Sequence, residues 1–164
     1  MDEHEYRAFD GLGLAQLVAN KETTAAELLA IAQARADRVN PRINAITNRL
    51  DGRAARQLRE NLTEPYAGVP FLLADLGQDL AGTPTSAGCR ALVGRAAAHT
   101  STVVQQWLQA GLVVFGKTNT SEFGFKWSPN LSSSGLRATR GIRSAPRAAP
   151  RVGRRRPWLP GYCR

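Results

Sequence analysis

Asp75 and Asp79 lie close together in the run ADLGQDLAGTPTSAG; Ser86 follows in the same run, and Lys117 sits further on in GKTNTSEF. Paired carboxylates can divide acid and base work, and a serine hydroxyl becomes a nucleophile when a base lies within hydrogen-bond reach. A lysine serves as that base when burial keeps it neutral. Each of these side chains also has a plainer use. Asp75 is expected to orient local backbone rather than to bind a metal. Ser86 and Ser101 show no activating partner in sequence and read as capping hydroxyls. His4 and His99 stand at no telling spacing from a Ser or Asp and read as surface or capping residues. DGLGL (10–14) is not a phosphate loop, because no strand precedes it. Cys89 and Cys163 are far apart and lack partner motifs, so no disulfide framework or zinc site is expected, as suits a reducing compartment.

The elements that must position these residues alternate between helices and short apolar strands. TTAAELLAIAQARADRV opens with a capping-box spacing, Thr24 to Glu27, and Ala25, Leu28, Leu29, Ala32, Ala36 and Val39 then recur on one helical face. Asn40-Pro41 is expected to end that helix. AARQLRE suggests another short helix, and GVPFLL (68–73) a buried strand. TSTVVQQWLQAG offers Thr100 or Ser101 as N-cap, Val103, Val104, Trp107 and Leu108 on one face, and Gly111 as stop. LVVFGKT (112–118) reads as a second buried strand. Together these imply a parallel or mixed sheet covered by helices.

This grammar stops after Ser128. The formal net charge of +9 belongs entirely to residues 128–164, which hold nine arginines, no lysine and no acidic residue. That stretch is rich in Arg, Pro, Ser and Gly, has no period of a strand or helix, and is expected to be disordered. Its arginines would bind phosphate polymers weakly and non-specifically, and no RNA-binding signature accompanies them. The N-terminus, MDEHEYRAFDG, is acidic without an apolar h-region, and no apolar run is long enough to span a bilayer. A cytoplasmic protein with no membrane partner is the expectation.

Three runs carry a family likeness. ELLAIAQARADRVNPRINAI (27–46), GVPFLLADLGQDLAGTPTSAGCRAL (68–92) and TSTVVQQWLQAGLVVFGKTNTSEFG (100–124) closely resemble the N-terminal region of amidase signature enzymes, most of all bacterial amidases of the aminohexanoate-cyclic-dimer-hydrolase type. The likeness covers almost all of residues 8–127. It implies an α/β fold, of which this chain supplies the N-terminal fragment: a mixed sheet covered by helices. It further implies hydrolysis of carboxamide C–N bonds in small-molecule amides through a Ser–cis-Ser–Lys triad, without metal or organic cofactor. Family members carry Lys117 in addition to the catalytic lysine, so its expected role is structural. The catalytic lysine belongs to a GVPFLLKD-like phrase; here the phrase is GVPFLLAD, and Ala74 occupies the lysine position. The bridging serine belongs to a GGSSGG phrase downstream of EFG, which is not in the chain, and the nucleophilic serine would lie further on. None of the three triad residues is therefore expected in this chain, which reads as a partial amidase signature domain (8–127) followed by an unrelated tail (128–164).

The genetic code offers an account of the tail. When the frame slides by one base, proline codons read as Ser, Pro, Thr or Ala, glycine codons as Gly, Arg or Trp, and CGN arginine codons as Ser, Pro, Thr or Ala. With synonymous codons chosen freely, residues from Ser128 onward permit a string containing TPGGSSGGSAAA, with Pro150, Arg151, Val152 and Gly153 becoming its SSGG core. The tail thus reads as the family's glycine–serine loop translated out of frame. The expected polypeptide is a catalytically inert fragment of marginal stability, with exposed sheet edges. The rival readings are a non-catalytic subunit of an amidotransferase-like assembly and a basic module that binds nucleic acid.

Overall fold

The computed structural model describes residues 1–60, 62 and 65–125. Helices α1 (Glu3–Ala8), α2 (Gly11–Ala19) and α3 (Ala25–Ile43) lead into strand β1 (Ile46–Arg49) and helix α4 (Asp51–Gln57). Strand β2 (Pro70–Ala74), a 3-10 turn at Arg90–Leu92, helix α5 (Thr102–Gln109), strand β3 (Val113–Thr118) and a 3-10 turn at Glu122–Gly124 complete the order. The sheet runs β1-β3-β2, with β3 parallel to β2 and antiparallel to β1. The mixed α/β architecture is the one expected. The expected disordered tail, 128–164, lies outside the described residues.

The helix starts follow local chemistry. Asp2 and Thr24 each form a reciprocal capping box, with Glu5 and Glu27 respectively, and Asp10 accepts from the Gly13 N–H. The α3 helix does not end at Asn40. Pro41 sits inside its last turn, and the helix runs to Ile43 before Asn44 turns left-handed at φ 47°. A proline this late removes one intrahelical bond, and the chain leaves the helix three residues on. The Asn40 side chain then works both ways on the next element, accepting from the Ile46 N–H at 2.7 Å and donating to the Ile46 carbonyl at 2.9 Å. That pair starts β1, a strand whose sequence, ITNR, carries no apolar run to announce it.

Three apolar clusters sandwich the sheet. Leu29, Ala32, Ala36 and Ala54 pack against Val113 and Phe115 on the α3/α4 face. Leu28 with Leu14 and Ala15 joins α3 to α2 over Val69 and Leu112. On the opposite face, Leu73, Leu80, Val104 and Val114 gather beneath α5, with Phe71 and Trp107 edge to face at 5.2 Å. Each fully buried Leu or Val contributes about 1.5–3 kcal/mol. Gln57, also buried, spans from α4 to the start of β3, donating to the Leu112 carbonyl at 2.8 Å and accepting from the Val114 N–H at 3.2 Å.

A bulge in β3 reorganises its far half. Phe71 and Leu72 are consecutive, yet their partners are Val114 and Gly116, so Phe115 is the extra residue. A Cβ on Gly116 would lie 2.8 Å from the Asn48 carbonyl, which is why only glycine fits there. After the bulge, Lys117 lies opposite Leu73 and Thr118 opposite Ala74.

Candidate active site at the C-terminal end of the sheet

β2 and β3 run parallel and end together at Ala74 and Thr118, and the chain leaves both strands into loops over that end. Ligands in α/β sheets gather outside such carboxyl ends. The Ala74 N–H donates to Gln78 Oε1 at 2.5 Å, and the Asp75 N–H to the Thr118 carbonyl at 3.1 Å. Ala74, where the resemblance places a lysine, thus presents a methyl group at the strand end.

The residue after it anchors the overlying loop. Asp75 is almost fully buried, and its carboxylate accepts from the Ser86 N–H at 3.0 Å and from the Ser86 hydroxyl. The Asp75 carbonyl accepts from the Ala87 N–H at 2.9 Å, and Ser86 Oγ accepts from the Gly88 N–H at 3.2 Å. The Ala87 carbonyl accepts from the Phe123 N–H at 2.8 Å, tying the loop to the segment after β3. Ala87 and Gly88 are both left-handed, and a Cβ on Gly88 would press on the backbone of Ser121 and Glu122 at 2.9 Å. Ser86 therefore has a partner that its sequence context does not show, Asp75. The pair holds the loop rather than arming a nucleophile, because Ser86 is buried and its hydroxyl is committed to the carboxylate.

Lys117 is 0% exposed. Its Nζ donates to Thr85 Oγ1 at 2.5 Å, and among the described residues no carboxylate lies within ion-pair distance of it. Burial pushes its pKa below the usual lysine value, while the charges of Asp75 and Asp79 pull the other way. Because successive side chains of a strand point to opposite faces, Lys117 shares a face with Leu73 and not with Ala74. It is not placed to stand in for a base at position 74.

His4 lies exposed on α1. His99 lines a cavity of about 360 Å³ with Asp79, Thr85 and Arg95, so the fold brings an Asp and a His together that the sequence keeps apart. Ser101 sits at the N-cap of α5 without a capping bond of its own; its hydroxyl donates to the Asp79 carbonyl at 3.4 Å, and Thr100 Oγ1 accepts from the Ala81 N–H at 3.1 Å. Cys89 is a half-buried free thiol; Cys163 lies outside the described residues. No group of three or more His, Cys, Asp or Glu residues that could hold a metal ion occurs among the described residues. No helix among them is long and apolar enough to cross a membrane. Sequence reasoning missed Thr85 and Gln78, whose partners are set by the loop's path and by no local pattern.

The family model described as Amidase matches residues 27–140. The chain is 37% identical over 136 residues to a lipoamidase of Enterococcus faecalis, covering 82% of this chain and 18% of that protein. It is 35% identical over 133 residues to a glutamyl-tRNA(Gln) amidotransferase subunit of Deinococcus deserti, covering 77% of this chain and 27% of the relative. Among solved structures, a 6-aminohexanoate cyclic dimer hydrolase complexed with substrate superposes with a TM-score of 0.75 at 34% identity, over 79% of this chain and 27% of that one. The chain thus spans about a fifth to a quarter of the length of the relatives it matches. The matched residues take in the sheet, α4, α5, the Asp75–Ser86 loop and Lys117, and on that ground the chain belongs to the amidase family.

Proposed function

We propose that this chain carries the opening part of an amide-hydrolysing scaffold whose catalytic base has been replaced, and that the polypeptide of 164 residues is catalytically inert. The parent reaction would be hydrolysis of the carboxamide C–N bond of small amides through a Ser–cis-Ser–Lys triad. Ala74 is the observation that carries the reading. It closes β2 at the carboxyl end of the sheet, where a lysine side chain would reach over the strand ends, and a methyl group neither accepts nor relays a proton. Losing a positioned base removes about 10²–10⁴-fold in rate. The nearest lysine in the sheet, Lys117, points to the other face. No GGSSGG phrase occurs within these 164 residues, and a one-base slip of the reading frame from Ser128 onward would account for that.

The test is hydrolysis of simple aliphatic and aromatic amides by the purified chain, followed by ammonia or amine release. Release at the buffer rate is expected; turnover above it, lost when this chain is depleted with an antibody, overturns the reading. Resequencing the gene across codons 60 to 164 and beyond tests the slip. A single-base change near codon 128 that opens a glycine–serine frame is expected, and a confirmed sequence with no such frame removes that part of the account.

A second reading, a non-catalytic member of an amidotransferase-like assembly, is supported by β2 lying at the edge of the described sheet and by the likeness to the amidotransferase relative. Co-purification with a stoichiometric partner would favour it.

A further inference from the structure

The Lys117 amine has no place in a triad built around position 74, yet the fold gives it a hydroxyl partner of its own. Nζ lies 2.5 Å from Thr85 Oγ1. The amine is fully buried, whereas Thr85 is half-buried and forms part of the wall of the cavity of about 360 Å³ that also includes Gly77, Asp79, Arg95 and His99. Thr85 thus lies between an amine sealed from solvent, which its hydroxyl contacts, and a space large enough for a small molecule. Asp75, the buried carboxylate nearby, is occupied by Ser86.

We propose that Thr85 and Lys117 form a hydroxyl–amine dyad that accepts an acyl group from small activated esters entering this cavity. Neutral Nζ takes the proton of the Thr85 hydroxyl as Oγ1 attacks the acyl carbon. The new bond is Oγ1 to carbonyl carbon; the bond that breaks is carbonyl carbon to the leaving oxygen, which departs as the alkoxide or phenolate and recovers a proton from the Lys117 ammonium or from water. Neither oxidant nor metal takes part. Burial supports the neutral form of the amine. The cavity's charges, a carboxylate at Asp79 against a guanidinium at Arg95, favour an uncharged, short acyl group over an anion. An ordinary amide, with its poor leaving group and no triad, is not a substrate, so this acylation is separate from the parent reaction.

The probe is p-nitrophenyl acetate. The full chain, heat-denatured chain and the variants Thr85→Val, Thr85→Ser and Lys117→Met are treated in parallel, with nitrophenolate release followed by absorbance and acetylation mapped by peptide mass spectrometry. One acetyl per native chain is expected on Thr85, or on Lys117 Nζ after transfer from the Thr85 ester. The label is expected to disappear at both positions in Thr85→Val, to persist in Thr85→Ser, and to form about a hundredfold more slowly at Thr85 in Lys117→Met. Its rate in the native chain should rise with pH and level off below 10.5, the ordinary lysine value. Labelling of Lys117 in Thr85→Val at the native rate, equal labelling of Thr85 in denatured chain, or a native rate that ignores pH overturns the dyad. If Thr85→Val does not fold, the serine variant and the pH profile of the native chain decide.

Discussion

Leu73 and Lys117 lie directly opposite each other across the parallel β2–β3 pair, and both are 0% exposed. Their side chains share the face that α5 covers, so the next residue of β2, Ala74, turns its methyl to the other face, beside Thr118. A lysine at each of these two neighbouring positions should therefore behave very differently. Ala74→Lys places its charge on a half-buried strand end away from Lys117 and is expected to change stability by less than about 1 kcal/mol. Leu73→Lys buries a second amine beside that of Lys117 in the space of a core leucine and is expected to cost more than about 4 kcal/mol, enough to unfold a marginal domain. Urea denaturation of the two variants measures the difference. Equal losses would mean that the register, and with it the argument that Lys117 does not replace a base at 74, is wrong.

Asp75 governs the loop above the strand ends. Asp75→Asn keeps the shape but replaces a charged acceptor of two Ser86 donors by an amide that offers one oxygen, at an expected cost of about 1–3 kcal/mol. Ser86→Ala removes the hydroxyl that the carboxylate accepts from and that accepts from the Gly88 N–H, but leaves the Ser86 backbone N–H to the carboxylate, so its expected cost is about 1–2 kcal/mol. Amide exchange of Ser86, whose N–H is held by the carboxylate, should quicken in the first variant far more than in the second, whereas that of Gly88 should quicken in both. If the Ser86 amide exchanges alike in the two variants, the carboxylate is not what pins the loop.

Lys117 makes stability depend on alkaline pH. Its folded pKa lies below 10.5, so between the folded value and 10.5 the unfolded chain binds the proton that the folded chain has released. Stability from this group is therefore smallest below the folded pKa and rises with pH toward 10.5. Tyr6 opposes it at the top of the range, because burial raises its pKa above 10.0 and its contribution falls once the unfolded phenol ionises. Subtracting the urea midpoints of Lys117→Met from those of the native chain isolates the lysine. The difference should rise as pH approaches 10.5 from below; a flat difference would show an amine that titrates alike folded and unfolded.

Glycines at the site differ in what they require. Gly116→Ala puts a Cβ 2.8 Å from the Asn48 carbonyl in the middle of a paired strand, and the backbone on both sides would have to part; a cost of about 2–3 kcal/mol is expected. Gly77→Ala meets open space but keeps a φ of 66°, so only the backbone conformation is penalised, by about 1–2 kcal/mol. A thermal midpoint for Gly116→Ala at or above that of Gly77→Ala would contradict the bulge geometry.

Much of this architecture can be read from local signals, and the failures share one cause. The α3 face, the capping box at Thr24 and Glu27 and the apolar strands β2 and β3 arise from residues close in sequence, where periodicity and capping chemistry act. β1 is invisible at that level because its four residues, ITNR, are held by Asn40 and by a partner strand some seventy positions away. Pro41 points to an end of α3 at Asn40, although a proline in the last turn costs only one bond and the helix continues past it. At the site, the expectation for Ala74 comes from the phrase that surrounds it. The Lys117–Thr85 contact is not, since its register depends on the Phe115 bulge and its partner on the path of a loop between strands.

The open side of β2 gives the last expectation. Val69 and Asp75 bond to β3 through their backbone, so Pro70, Leu72 and Ala74 turn their backbone groups the other way. Proline has no N–H, and the Ala74 N–H is taken by Gln78, so among the described residues the strand leaves one amide proton to a neighbour, that of Leu72. An edge blunted in this way resists random pairing, although the apolar cavity of about 500 Å³ beside Pro70, Phe71 and Leu72 remains to be covered. In an isolated monomer the Leu72 amide should exchange near the intrinsic rate while Leu73, bonded to β3, is protected to the level of global unfolding. Hydrogen exchange read residue by residue by NMR at low and high protein concentration separates the cases. Protection of Leu72 equal to that of Leu73 at low concentration would mean that another segment of the same chain closes the sheet. Protection that appears only at high concentration would mean that a second copy does, and the open-edged monomer would be the wrong description in either case.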